Sequence, residues 1–271
     1  MRTPVQRYRE GGFTSRPDTV AGEEPLEIRL AGRPLTVTMR TPGADIDLVH
    51  GWLHAEGLVT EAADVVTARY CDGRDSEGRN TYNVLDIELA RPVDPALLAG
   101  AVRRSPTSSA CGVCGKASID DLRARVRHPV GTGPRLAPDT VVGLPEELRT
   151  GQQAFAATGG VHAAALVGAD GALSLLREDV GRHNAVDKVI GAALRAGRLP
   201  LHDSALLTSS RASFELVQKA MLAGIGMLIA VSAPSSLAVE LAQAAGMTLV
   251  GFTRPTGFNL YCGPERVEGA A

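Results

Sequence analysis

The first part of the chain alternates apolar and polar residues and then changes to a helical period. From Leu26 the pattern LEIRL-AGRP-LTVTM gives two short alternating segments around a turn containing glycine, which predicts a β-hairpin. In ADIDLVHGWLHAEG the apolar residues recur at helical spacing, which predicts a helix that ends at Gly57. The same patterns predict strands at 63–70 and 82–89 and a helix near 95–104. Together these elements form an α+β unit.

From about residue 141 the pattern becomes a regular succession of helices and strands. The segments MLIAV and TLVGF are continuous apolar runs, as expected of strands that helices cover on both faces. The predicted helices cover 145–157, 182–196, 213–224 and 235–245, and the predicted strands cover 161–167, 173–178, 204–208, 227–231 and 247–252. This order predicts an α/β fold in layers with a partly parallel sheet.

These patterns divide the chain into three sections. Residues 1–24 are polar, charged and interrupted by glycine and proline, which predicts a mobile tail. Residues 25–140 form the smaller N-terminal α+β domain and end in a long loop that contains Cys-Gly-Val-Cys. Residues 141–271 form the α/β domain.

Composition and charge narrow the class of protein. The 271 residues are 44% hydrophobic and 21% charged, which excludes a disordered, collagen-like or coiled-coil chain. The net charge of -2 shows no basic excess, so nucleic acid is not expected as the main partner. No run reaches the roughly 18 apolar residues of a membrane span, and the first twenty residues lack the apolar run of a signal peptide. We therefore expect a cytoplasmic protein with no membrane segment.

The close pair Cys111 and Cys114 is the first chemical candidate. Flanking glycines leave this backbone free, and Lys116 favours a thiolate, so the pair suits an exposed nucleophilic cysteine. Half of a zinc site is one alternative, although Cys71 and Cys262 each stand alone in the sequence. A thioredoxin-like dithiol is another alternative, but it normally lies on a strand-to-helix turn.

The segment REDVGRHNAVDKVIGAALRAG at 177–197 is the second candidate. Arg182, His183 and Asn184 crowd the start of a predicted helix that follows a strand, as in many binding sites. His183 and Asp187 lie four residues apart, so we expect both to face the crevice above the sheet. The alternative is ordinary capping by Asp179, with Asp187 and Lys188 on a solvated helix face.

Three further loops at strand ends carry hydroxyl groups or histidine. They are Thr158–His162, Thr208–Arg211, which includes Ser209 and Ser210, and Ser232–Ser236. Hydroxyls and free N–H groups at helix starts suit phosphate oxygens, and Arg211 adds a bidentate donor. Taken singly, Ser209 or Ser235 is more often an N-cap. Several such loops at one sheet edge are a stronger indication of a ligand site.

The segment GFTRPTGFNLYC at 251–262 follows the last predicted strand. It combines Arg254 with Phe252, Phe258 and Tyr261, a combination that can sandwich a planar base. Packing of the two phenylalanines in the core is an equally weighted alternative.

Four of these motifs together closely resemble the FdhD family, sulfur carriers that mature formate dehydrogenases. They are CGVCGK at 111–116, EDVGRHNAVDK at 178–188, TSSR at 208–211 and GFTR at 251–254. The resemblance runs from about residue 25 to 267 and implies a cytidine-deaminase-like three-layer C-terminal domain. It also implies that Cys111 carries a persulfide, with Cys114 in an auxiliary role. A cysteine desulfurase would load Cys111.

The resemblance also implies a substrate and partners. The sulfur would pass to a molybdenum bis(guanine dinucleotide) cofactor that binds transiently, with GDP as its fragment, before insertion into the catalytic subunit of formate dehydrogenase. The implied guanine segment comprises Phe252, Thr253, Arg254, Pro255, Thr256 and Gly257, and His183, Asp187, Ser209 and Arg211 complete the expected cofactor site. A homodimer is expected from the same resemblance, and no cofactor is expected to stay bound.

Two other functions remain to be compared with sulfur transfer. A chaperone could hold the cofactor without carrying sulfur. A zinc deaminase would need His or Cys with Glu at one helix start and P-C-x-x-C at the next. The chain has His183-Asn184-Ala185 and Ser209-Ser210-Arg211 at those places, which disfavours deamination and a resident metal.

Overall fold

The structure, a computed structural model, describes residues 1–71, 73, 77–78, 80–93, 95–101 and 126–270. The strands in this part of the chain are β1 Arg2–Arg9, β2 Gly12–Thr19, β3 Glu24–Leu30, β4 Arg33–Arg40, β5 Val65–Tyr70, β6 Val84–Leu89, β7 His162–Val167, β8 Leu173–Asp179, β9 Ala205–Thr208, β10 Met227–Ala230, β11 Thr248–Arg254 and β12 Gly257–Cys262. The helices are α1 Asp45–Ala55, α2 Pro95–Ala101, α3 Pro138–Gly151, α4 Gln153–Thr158, α5 Arg182–Arg195, α6 Phe214–Leu222 and α7 Ser236–Ala244.

A six-stranded sheet organises the C-terminal part in the order β12-β11-β10-β9-β7-β8. β9, β10 and β11 are parallel, whereas β7 runs antiparallel to β8 and β9, and β12 runs antiparallel to β11. The predicted α/β fold with a partly parallel sheet is therefore confirmed.

Both faces of this sheet are covered, which gives three layers. On one face, Val189 of α5, Val217 of α6 and Leu241 of α7 belong to one buried cluster with residues of the central strands. On the other face, Leu144 and Leu148 of α3 pack with alternate residues of the same strands. Covering on both faces explains why these strands are almost entirely apolar in sequence.

The smaller N-terminal domain has a four-stranded sheet in the order β4-β3-β6-β5. β3 pairs with β4 and β5 pairs with β6 in the antiparallel sense, and β3 and β6 are parallel. Leu48, Val49 and Leu53 of α1 pack on this sheet in a cluster that also includes Leu194 of α5. α1 therefore joins the two domains, and the predicted α+β unit is confirmed.

The contact between α1 and α5 depends on two glycines. A Cβ added at Gly51 would overlap the backbone of Asp187, and a Cβ added at Gly191 would overlap the backbone carbonyl of Asp47. The two helices therefore approach closely enough for backbone to touch backbone. Only glycine permits this approach.

We expect Gly51→Ala and Gly191→Ala each to lower the free energy of unfolding by about 1–3 kcal/mol or more, because backbone cannot yield as a flexible side chain does. Gly143→Ala is the matched control. Gly143 lies exposed in α3 with nothing near its added Cβ, so alanine there should stabilise by about 1 kcal/mol through helix propensity. Urea unfolding of the three variants measures both effects. Equal stability of all three would contradict the close helix contact.

Residues 1–24, predicted as a mobile tail, contain two strands that the sequence analysis did not predict. β1 and β2 form an antiparallel hairpin from the Arg2–Thr19 pair to the Arg9–Gly12 pair. The turn takes Glu10 and Gly11 at positive φ, which glycine allows readily. The hairpin was missed because both of its faces are largely exposed, so its residues show no apolar alternation.

Other boundaries also differ from the prediction. The helix predicted at 145–157 is two helices, and α3 begins at Pro138, because proline is well suited to a first helical turn. The predicted domain boundary at 140/141 therefore falls inside α3. The last predicted strand is followed by one more strand, β12, which pairs at the edge of the large sheet.

No helix in the described ranges has the length and apolar character that crossing a membrane requires.

Candidate functional site at the carboxyl edge of the large sheet

The large sheet brings several strand ends to one edge. β8, β9, β10 and β11 all point the same way and β7 points the opposite way, so their carboxyl ends lie beside the start of β7. Asp179, Thr208 and Arg254 end three of these strands, and His162 begins β7. We call this region the carboxyl edge. The predicted convergence of polar loops at one edge of the sheet is confirmed, and ligands of open α/β sheets bind at such edges.

Ser209 and His162 lie together at the carboxyl edge. The Ser209 hydroxyl accepts a hydrogen bond from the Ala163 N–H at 2.9 Å and lies 3.4 Å from His162 Nδ1. Arg211 is exposed two residues farther along. Ser235 is the N-cap of α7, since its hydroxyl accepts from the Ala238 N–H at 3.3 Å, so the capping interpretation of Ser235 is confirmed.

Arg182 and His183 occupy the first turn of α5 at the same edge. His183 Nε2 lies 2.6 Å from a Glu215 carboxylate oxygen, and both side chains are partly exposed. The Nε atom of Arg182 is buried and has no hydrogen-bond partner in the described structure. A buried donor without a partner is costly, and an anionic oxygen would satisfy it. This observation supports an anion at the start of α5.

His162 has a cationic environment. Its pKa is lowered from the ordinary histidine value, first by burial and then by the nearby positive charges of Arg182 and His183, against a smaller opposite effect of Asp179. The clustering of these cations at a helix N-terminus, where the helix dipole is positive, favours a negatively charged ligand.

The predicted guanine segment forms the hairpin between β11 and β12. Arg254 pairs with Gly257, and Pro255 and Thr256 make the turn between them. The segment is therefore an ordered hairpin tip and not a tail beyond the last strand. Phe252 is 44% exposed and has φ +53°, a conformation that non-glycine residues rarely adopt. An exposed aromatic ring held in a rare backbone conformation is a typical feature of a binding site.

Thr253 and Arg254 fix this hairpin to the neighbouring strand. Thr253 is fully buried and its hydroxyl donates to the Ala230 carbonyl at 2.9 Å. The Arg254 guanidinium donates to the carbonyl of Val231 and, at 2.9 Å, to that of Thr253. Part of the hydrogen-bonding capacity of Arg254 is therefore already used by backbone. This contact fixes the loop that presents Phe252.

Asp187 does not face the carboxyl edge as predicted. It is 2% exposed, and the Lys219 ammonium of α6 lies 2.6 Å from its carboxylate. Burial raises the pKa of Asp187, while Lys219 opposes that change. The expectation that His183 and Asp187 share an open crevice is wrong because α1 and α6 cover the Asp187 side of α5. The alternative of a solvated face is wrong for the same reason.

Two predicted site residues are not described by the structure, and one residue near the site was not predicted. Cys111 and Cys114 lie outside the described residues, so their roles stay predictions. Sequence reasoning missed Thr41, whose hydroxyl accepts from the Val180 N–H at 3.0 Å and whose own N–H donates to Asp179 at 3.1 Å. Thr41 stands in the other domain and has no local motif around it, so no sequence signal marked it.

The buried histidines predict a pH dependence of stability. Burial lowers the pKa values of His50, His54 and His162 below their ordinary value, near 6.5. The unfolded chain therefore binds more protons in acid, and we expect the free energy of unfolding to fall as pH falls from about 6.5. Urea unfolding between about pH 7.5 and about pH 5.5 measures this slope. His54→Gln should flatten it, and an unchanged slope in that variant would contradict the assignment to His54.

Comparison with known proteins identifies the family. The model of the FdhD/NarQ family matches residues 21–268. The chain belongs to the FdhD/NarQ family. It is 56% identical over 271 residues to the sulfur carrier protein FdhD of Nocardia farcinica, covering 100% of this chain and 95% of that protein. It is 54% identical over 257 residues to the sulfur carrier protein FdhD of Mycobacterium tuberculosis, covering 93% of each.

A solved structure agrees with the family assignment. The chain matches a crystal structure of a Desulfotalea psychrophila protein assigned as a formate dehydrogenase accessory protein, with a TM-score of 0.75 and 25% sequence identity. The match covers 98% of both chains. The arrangement of both domains is therefore shared with that structure at 25% sequence identity.

Proposed function

We propose that this chain is a sulfurtransferase that carries persulfide sulfur from a cysteine desulfurase to the molybdenum bis(guanine dinucleotide) cofactor. The sulfurated cofactor is then needed for formate dehydrogenase activity. Family membership and the names of the relatives support the sulfur carrier role. The observation that carries the cofactor part is the unpartnered, buried Nε of Arg182 in a cationic cluster at the carboxyl edge.

The proposed chemistry begins at Cys111. Its thiolate attacks the outer sulfur of the donor persulfide, forms a new S–S bond and expels the donor cysteine as a thiolate. The sulfur atom is delivered when the Cys114 thiolate attacks the inner sulfur of the persulfide, which is the Sγ atom of Cys111. The outer sulfur then leaves as sulfide, and a Cys111–Cys114 disulfide forms. A cellular thiol reductant restores the two thiols and can also replace Cys114 in the attack.

The carboxyl edge is proposed to hold the guanine dinucleotide end of the substrate. Arg182, His183 and the loop that begins at Ser209 suit diphosphate oxygens, and Arg211 is an exposed cation of the same loop. The exposed ring of Phe252 suits stacking on the guanine base. We also propose, from the family resemblance, a cytoplasmic location, homodimer formation and contact with the catalytic subunit of formate dehydrogenase.

Two measurements test this function. After incubation with a cysteine desulfurase and cysteine, the intact mass should increase by one sulfur atom on Cys111. Titration calorimetry should show GDP binding more tightly than ADP. If the protein binds GDP but Cys111 is not loaded with sulfur, the chaperone function remains. Equal affinities for GDP and ADP would remove guanine recognition from the proposal.

A further inference from the structure

The carboxylate of Asp179 lies at the centre of a buried network behind the carboxyl edge. Asp179 is 0% exposed. Its Oδ1 accepts from the Gly181 N–H at 2.8 Å and from the Asn184 side-chain amide at 3.0 Å. Its Oδ2 accepts from the Thr41 N–H at 3.1 Å and lies 2.7 Å from the Lys188 ammonium. Four donors therefore converge on one buried carboxylate.

Lys188 is equally buried and completes the network. It is 1% exposed, and its ammonium donates to the Thr41 carbonyl at 2.8 Å and contacts the Glu178 carbonyl at 3.4 Å, in addition to Asp179. Ionised side chains are rarely this buried unless they are paired and hydrogen-bonded. A buried ion pair is weak evidence for a gain in stability, because removing both charges from water is costly. A role in holding a specific arrangement is a better explanation of its presence.

The network fixes the two residues that precede the first turn of α5. The Thr41 hydroxyl accepts from the Val180 N–H, and Asp179 accepts from the Gly181 N–H. The Asn184 amide also donates to the Met39 carbonyl at 2.8 Å. The end of β4 in the N-terminal domain is therefore bound directly to the segment that leads into Arg182 and His183.

The geometry points to Asp179 and Lys188 as positioning residues that hold Arg182 and His183 at the carboxyl edge through the end of β4. They touch no ligand themselves and act by fixing the start of α5. The expected effect of these two residues on nucleotide binding rests on the proposed function. Their expected effect on the position of Arg182 and His183 does not. Through this pair, the end of β4 in the N-terminal domain helps to position the residues of the C-terminal domain that bind the anion.

Two single variants and one double variant test the inference. Lys188→Met leaves a buried carboxylate without its cation, and Asp179→Asn leaves a buried ammonium without its anion. We expect each to weaken GDP binding at least about tenfold, as loss of a charged contact typically does. In the double variant the pair is neutral, and the new amide oxygen still accepts from the Gly181 N–H. Its NH2 group replaces the oxygen that accepts from the Thr41 N–H, so that one hydrogen bond is lost. The double variant should recover affinity to within about threefold, a change of less than 1 kcal/mol.

A second readout needs no nucleotide. Because burial and the charges of Arg182 and His183 lower the pKa of His162, displacement of the α5 start should raise that pKa. NMR titration of the ligand-free proteins, after circular dichroism confirms folding, should show a higher His162 pKa in Lys188→Met. Asp179→Asn is not used for this readout, because the Asp179 charge itself raises the His162 pKa. Arg195→Met is the matched control, since it removes an ion pair with Asp47 at the far end of α5 and should change neither readout.

The outcomes separate the inference from the proposed function. Wild-type protein that does not bind GDP would remove the proposed nucleotide site, and the His162 titration would still decide whether the pair positions α5. An unchanged His162 pKa in folded Lys188→Met would overturn the inference. A double variant no better than the single variants would also overturn it, because the charges themselves would then be required.

Discussion

Replacement of Cys111 by alanine should abolish sulfur loading and leave formate dehydrogenase without activity in a complementation assay. The thiolate is the atom that accepts the persulfide sulfur, and alanine offers no nucleophile in its place. The sequence predicts a loop at Cys111, and substitution of one small loop residue usually changes stability by no more than about 0.5 kcal/mol. The measurements are the intact mass after incubation with desulfurase and cysteine, client activity in cells, and the melting temperature of the variant.

Two other cysteines provide matched controls for Cys111→Ala. Burial raises the pKa of Cys262, and its thiol donates to the Met247 carbonyl at 3.3 Å, so it is a poor nucleophile. Cys262→Ala should therefore load normally. Cys114→Ala should load and lose only part of the delivery, because other thiols can attack the loaded persulfide. A lower melting temperature that parallels the loss of activity in Cys111→Ala would indicate a structural cysteine instead.

The layered fold and the position of the carboxyl edge could be predicted because both depend on local patterns. Strands such as 227–230 are apolar on both faces, which signals covering layers, and the polar residues that follow them mark the strand ends. Since parallel strands end at the same edge, the loops at Thr208 and Ser232 had to lie close together. Neither inference depends on which helix packs against which face of the sheet.

The misplacement of Asp187 shows what the local pattern lacks. Helical spacing correctly put His183 and Asp187 on one side of α5, but it could not show which neighbours cover that side. Lys219 lies on a later helix, and Gly51, whose lack of a side chain allows α1 to approach, lies on a much earlier one. Such long-range packing decides whether a carboxylate faces solvent or a buried partner. The same limit hid Thr41 from the sequence analysis.

The exposed N-terminal hairpin and β12 were missed for a different reason. Strand prediction depends on one buried face, and β1 and β2 have none in this chain. β12 is a strand at the edge of the sheet, and its residues are partly buried or exposed. It begins soon after Pro255, and a proline at this place in the sequence indicates a loop. In β1 and β2 hydrogen bonding to the neighbouring strand determines the structure, and apolar burial contributes little. In β12 the pairing with β11 is joined by partial packing of Phe258 and Leu260 against the core.

Replacement of Arg182 by methionine should weaken GDP binding by about ten- to a hundredfold, because a hydrogen bond to a charged group is typically worth about 1.5–3 kcal/mol. Methionine keeps the unbranched apolar stem of the side chain, so the change removes mainly the guanidinium. The buried Nε of Arg182 has no partner within the described protein and should gain one on binding. Arg254→Ala should have a smaller direct effect, since that guanidinium already donates to backbone carbonyls.

The reference for Arg182→Met is an arginine of α3, which covers the opposite face of the sheet from α5. Arg149 stacks over the Phe155 ring, with its guanidinium carbon 4.1 Å from the ring centre, and Arg149→Met should leave GDP affinity unchanged. Calorimetry at two salt concentrations should also show a weaker salt dependence in Arg182→Met, because one charge fewer faces the diphosphate. Equal GDP affinity in wild type and Arg182→Met would place the diphosphate elsewhere and leave the unsatisfied Nε atom without an explanation.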